Sequence, residues 1–89
     1  MEIDYPSIRM GLVFEDVRRR NHMNQEELAH RSGLNRTTIS DIERDVNRPT
    51  LDSFIKLAFA YQMKPSELFQ EIEKKTNLLD YQNKIEEEY

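Results

Sequence analysis

A single glycine, Gly33, separates two short segments that each open on an asparagine, and this arrangement constrains the chain more than any other feature. Asn24 stands three residues before Glu27, which is capping-box spacing, and opens a helix over residues 25–32 with Leu28 and Ala29 as its apolar residues. Gly33 suits a helix-terminating position that needs positive φ. Leu34 is the apolar residue of the turn, and Asn35 is the next N-cap. The helix it opens, from 36 to about 44, has only Ile39 and Ile42 as apolar residues, at i and i+3. The remaining positions are Arg36, Thr37, Thr38, Ser40, Asp41 and Arg44, a short-chained, donor-rich face. A small fold that keeps so polar a helix keeps it for a partner.

The rest of the chain reads as helix too. Two glycines and three prolines in 89 residues are too few for a β fold of many tight turns. Ser7 can cap a first helix reaching about residue 21, with Met10, Val13, Phe14 and Val17 on one face. Thr50 caps a fourth helix, from 51 to about 62, with Leu51, Phe54, Leu57, Ala58 and Tyr61 as its core stripe. Pro65 at a first helical position starts a fifth, to about residue 75, with Leu68, Phe69 and Ile72 inward. Asn77 or Thr76 can cap a last helix with an apolar edge of Leu78, Tyr81, Ile85 and Tyr89. The expected architecture is all-α: a domain over residues 1–75 and an acidic amphipathic tail over 76–89.

Composition removes several function classes. There is no cysteine, hence no disulfide framework, Cys-ligated metal or Cys nucleophile. His22 and His30 lie eight apart with no carboxylate at metal-ligand spacing, so neither a metal nor another cofactor is expected. No nucleophile–base pair or phosphate loop is visible, which argues against an enzyme. No apolar run is long enough to span a membrane, and the acidic start lacks the pattern of a signal peptide. The expected location is the cytoplasm.

The formal charge of −4 is unevenly spread. Residues 70–89 hold six acids and three bases, whereas residues 18–48 hold seven arginines against five acids. Every lysine lies later, and arginine supplies the rigid fork that suits phosphates and guanine edges.

A capped helix, a glycine turn and a second capped helix meet the requirements of a helix-turn-helix, whose first helix crosses the phosphate backbone while the second lies in the major groove. Residues Met23-Asn24-Gln25-Glu26-Glu27-Leu28-Ala29, Gly33-Leu34, Thr38-Ile39-Ser40-Asp41-Ile42-Glu43-Arg44, Pro49-Thr50-Leu51 and Pro65-Ser66-Glu67-Leu68-Phe69 resemble the repressor/Cro helix-turn-helix family of phage and bacterial regulators. The resemblance covers about residues 10–69 and implies the five-helix, lambda-repressor-like fold. The run from Asn35 to Ser40, followed by Glu43-Arg44, is similar to controller proteins of restriction–modification systems.

The resemblance implies a division of labour. Arg36, Thr37, Thr38, Ser40 and Asp41 are candidate base readers: Arg36 as a fork on guanine, the threonines on base edges or a thymine methyl, and Asp41 accepting from cytosine. Asn24, Gln25, Arg44, Asn47 and Arg48 are candidate phosphate contacts, with Gln25 also bracing residue 36. Arg18 and Glu43 are expected as a partly buried ion pair tying the first helix to the recognition helix. Arg9, Arg19, Arg20 and Lys56 read as solvated charge. Three positions depart from the family pattern. His22 and Asp45 stand where glycine is frequent and are asked to take positive φ. Lys64 replaces a small N-cap before Pro65.

One such motif reads only a few base pairs, so a homodimer on two half-sites is expected. Ile55, Phe59, Met63, Phe69, Leu78 and Tyr81 are candidate interface residues, with Leu12 a further apolar surplus. The expected function is a sequence-specific, dimeric regulator binding double-stranded DNA. The alternative is an antitoxin-type module whose tail holds a protein partner. A tail folded back on its own monomer through Leu78, Tyr81 and Ile85 is a further reading.

Overall fold

The computed structural model describes residues 9–76, 78, 86 and 87. Five helices follow in order, and no strand occurs among the described residues: α1 (Gly11–Arg20), α2 (Gln25–Ser32), α3 (Arg36–Glu43), α4 (Leu51–Ala60) and α5 (Pro65–Lys75). The boundaries of α2 and α5 fall where the caps place them. Helix α1 begins later than a Ser7 cap implies, and Ser7 itself lies outside the described residues. Asn77, Tyr81, Ile85 and Tyr89 of the expected tail helix also lie outside them. Leu78 packs against the core. No helix of the described residues is long and apolar enough to cross a membrane.

Each helix buries one stripe. Val13, Phe14 and Val17 of α1 meet Leu28 of α2, Ile39 and Ile42 of α3, Leu57 and Ala58 of α4 and Leu68 and Ile72 of α5 in one core. Helix α3 packs on α1 and α2, α4 packs on α2 and α5, and α5 also touches α1. Tyr61, just past α4, is buried within this core, and its hydroxyl donates to the Phe14 carbonyl at 3.2 Å. Burial pushes its phenol well above the ordinary value.

Two apolar expectations are corrected. Leu51 is not core but 75% exposed, and Phe69 is 46% exposed rather than inward. Periodicity placed them on a stripe, but the stripe runs past the edge of the neighbouring helices. Together with Met10, Pro49, Phe54 and Ile72 they line an open apolar groove, where Phe54 and Phe69 meet edge-on at 6.2 Å.

Three helices end in the same way. After α1, α3 and α4 the chain turns through a left-handed residue: His22 (φ 57°), Asp45 (φ 59°) and Gln62 (φ 62°). In each case the following amide reaches back to close a Schellman motif: Met23 to Arg18 O, Val46 to Asp41 O and Met63 to Ala58 O. His22 and Asp45 adopt the positive φ that the sequence asks of them; Gln62 is an addition. Lys64 offers no acceptor to α5. Glu67 compensates by accepting the Lys64 backbone N–H at 2.9 Å, so the helix start is held from within.

Arg19 and Arg20 are exposed, as expected of solvated charge, and each also has an acidic partner. Arg19 pairs with Glu15 at 2.7 Å. Arg20 and Lys75 each bridge Asp16 and Glu71, at 3.0–3.2 Å, closing a four-membered ring between α1 and α5. The Lys75 hydrogen bond and the Arg20 charge hold the Glu71 carboxyl below its ordinary pKa, and Glu71 in turn holds Lys75 above its own.

Candidate nucleic-acid interface

The motif is assembled by local hydrogen bonds. Asn24 Oδ1 accepts the Glu27 N–H at 2.8 Å and starts α2; Asn35 Oδ1 accepts the Thr38 N–H at 3.2 Å and starts α3. Gly33 takes φ 74° between them and returns its N–H to Ala29 O. Ser32 Oγ accepts the Leu34 N–H, which fixes the turn. Ile39, Ile42 and Glu43 are buried, so Arg36, Thr37 and Thr38 turn outward, with Ser40 and Asp41 half-buried.

Gln25, Arg36, Thr37, Ser40, Asp41 and Arg44 line one shallow concavity that runs from the start of α2 along α3 to its C-cap. Arg36, Thr37 and Arg44 are exposed; Ser40 and Asp41 are half-buried. Thr38, although exposed, is not among the lining residues. Asn47 and Arg48 are exposed in the loop after α3, and Asn24 is exposed at the start of α2. Thus the expected base readers, Thr38 apart, come together with two of the expected phosphate contacts.

The C-terminal end of α3 is held by a buried node. Arg18 Nε and Nη2 meet Glu43 Oε2 and Oε1 at 2.8 and 3.0 Å, and Arg18 Nη1 donates to Met23 O at 2.9 Å. Both residues are less than a tenth exposed. The hydrogen bond to Glu43 holds the Arg18 guanidinium more firmly in its charged form. Gln25 joins the node: its Nε2 donates to Glu43 Oε1 at 3.0 Å. It therefore ties the start of α2 to the buried Glu43 carboxylate, and Gln25 Oε1, the atom that could accept from Arg36, is left uncommitted by this bond.

Two further contacts were missed by sequence reasoning. Asp45 Oδ1 accepts the Gly11 N–H at 2.9 Å, so the turn after α3 caps the start of α1. Gly11 is needed there, because a Cβ would fall on the Glu43 carbonyl and lie 2.8 Å from Ile42 O. The available signal was one of the chain's two glycines standing at a helix start. The second contact concerns Asp41. Its carboxylate accepts from Asn47 Nδ2 at 3.4 Å and its carbonyl from the Val46 and Asn47 amides. Asp41 thus fastens the loop that carries Asn47 and Arg48.

Comparison with known proteins agrees with this geometry. The helix-turn-helix family matches residues 14–68. Control protein C.BamHI of Bacillus amyloliquefaciens is 41% identical over 49 residues, covering 55% of this chain and 60% of that relative, so the match spans less than two thirds of its length. The restriction–modification controller protein C.AhdI of Aeromonas hydrophila superposes with a TM-score of 0.65 at 33% identity, over 67% of this chain and 91% of that one. The controller protein C.Esp1396I gives 0.68 at 30% identity, over 74% and 85%. With the match running from α1 into α5, and the caps, turn and polar α3 face in place, the chain belongs to the helix-turn-helix family.

Proposed function

We propose that this protein is a sequence-specific DNA-binding transcription regulator of the controller type, acting as a homodimer in the cytoplasm. The observation that carries the reading is the concavity of Gln25, Arg36, Thr37, Ser40, Asp41 and Arg44, set on a helix whose opposite face is locked into the core. Laid in a major groove, α3 brings Arg36 to a guanine edge, where a bidentate pair discriminates by about 1–3 kcal/mol. Thr37 and Ser40 reach neighbouring edges; Arg44, Arg48, Asn47 and Asn24 lie toward the phosphates and set register rather than sequence. Asp41 serves this interface by fastening the loop. Its half-buried carboxylate, already facing Asn47, is a weaker candidate for cytosine than the sequence suggested.

The dimer reading draws support from α4. Leu51, Ile55 and Phe59 recur every fourth residue; Leu51 and Phe59 are 75% and 64% exposed and Ile55 is half-buried, an apolar stripe facing outward on α4. A symmetric pairing through such a face would set two α3 helices on half-sites about 34 Å apart. The test is selection of bound sequences from a random duplex pool near physiological salt. A pseudo-palindrome with guanine in each half-site, with the guanine preference lost on Arg36→Ala, is the expected result. Failure to enrich any sequence at any salt would refute the reading.

A further inference from the structure

Arg36 has an acidic neighbour that the proposed reading has not used. Its Nη1 lies 3.9 Å from Glu26 Oε1. Arg36 is the first residue of α3 and Glu26 the second of α2, so the pair spans the two helix starts. Gln25, the residue expected to brace Arg36, turns its amide nitrogen to Glu43, and the carboxylate that pairs with the arginine across the two helix starts is Glu26. Asn24, Gln25, Glu26 and Arg36 line a second shallow hollow next to the first.

The pair is open to solvent, with the two side chains 63% and 75% exposed, and adds little to folding. Its effect is on where Arg36 goes. The start of α2 is the part of such a motif that approaches the phosphate backbone. An unaccompanied arginine there is drawn to phosphate whatever the sequence, and this attraction is the source of non-specific affinity. Glu26 offsets that charge and repels phosphate at the same point. A guanine edge competes differently, because O6 and N7 accept both prongs of the guanidinium together.

We propose that Glu26 is a specificity-determining positioning residue, which keeps Arg36 off phosphates in the free protein and at wrong sites and yields it to a guanine edge. The inference rests on the DNA-reading function proposed above. Its test measures binding by fluorescence anisotropy to a duplex selected from a random pool and to a scrambled duplex of the same length, across about 50–200 mM salt. Glu26→Gln keeps the shape and removes the charge at an exposed position. It should tighten binding to the scrambled duplex about tenfold at low salt, with a log–log salt slope steeper by about 0.9 per subunit. The selected duplex should gain much less, so the specificity ratio falls. Glu26→Asp should restore the ratio, and in an Arg36→Ala background Glu26→Gln should leave it unchanged. An unchanged ratio, an equal gain on both duplexes, or the same fall without Arg36 overturns the positioning role. A wild-type protein that enriches no sequence overturns the DNA-reading function, and the inference with it, so the two failures are distinguishable.

Discussion

The two ends of α3 are built on opposite plans. At its C-terminal end, Glu43 is buried, accepts three N–H groups from Arg18 and Gln25 within 3.0 Å, and has the start of α1 pressed against its carbonyl. At its N-terminal end, Arg36 stands in solvent beside one carboxylate at 3.9 Å. The difference teaches how a small fold reconciles rigidity with adaptability. The anchored end fixes where the helix points, so the free end can exchange one partner for another without moving the backbone.

The comparison can be broken at the anchored end first. Glu43→Ala strands the Arg18 guanidinium in the core, which should cost about 3–5 kcal/mol. Urea unfolding should show it as a large drop in midpoint, and a paired Arg18→Met, Glu43→Leu variant should recover much of the loss. Gly11→Ala drives a methyl into the α3 backbone and should cost about 1–3 kcal/mol by the same measurement, through overpacking rather than lost charge. Tyr61→Phe removes the hydroxyl held by Phe14 O and should cost about 1 kcal/mol near neutral pH. It also probes alkaline stability. Because the folded phenol is raised above its unfolded value of 10.0, its contribution is intact below about pH 10 and is lost as pH rises beyond it. Thermal melts across that range should therefore fall less steeply for Tyr61→Phe than for the parent. At the free end, Arg36→Ala should change stability by no more than about 0.5 kcal/mol while lowering discrimination between the selected and scrambled duplexes by about 1–3 kcal/mol per half-site. A large stability loss there would show that the two ends are not divided as described.

What could be read from sequence follows the reach of each interaction. The motif was legible because its determinants are local: Asn24 and Asn35 cap within three residues, and Gly33 closes a turn on Ala29. The Arg18–Glu43 pair came from family resemblance, since nothing in the spacing of two residues on different helices predicts it. Gln25–Glu43, Asp45–Gly11 and the Asp16–Glu71 ring join residues far apart in sequence, and their exposed-looking polar types gave no hint of a partner. Periodicity likewise placed Leu51 and Phe69 on apolar stripes without saying where the neighbouring helix stops. In the candidate site, the polar α3 residues that share one concavity were legible as a polar face; the bonds from Gln25 to Glu43 and from Asn47 to Asp41 were not.

The three left-handed helix ends that carry a side chain, at His22, Asp45 and Gln62, bear on how far this domain could be hardened. A side chain in that backbone region gives up about 1–2 kcal/mol relative to a residue without Cβ. Asp45 recovers part of this by capping α1, so its strain is tied to a function. His22 and Gln62 are exposed, and both stand apart from the concavity that carries Arg36. Glycine at either position should raise the melting temperature by a few degrees and leave DNA discrimination as it is. The domain thus lies two substitutions from a more heat-resistant form of itself.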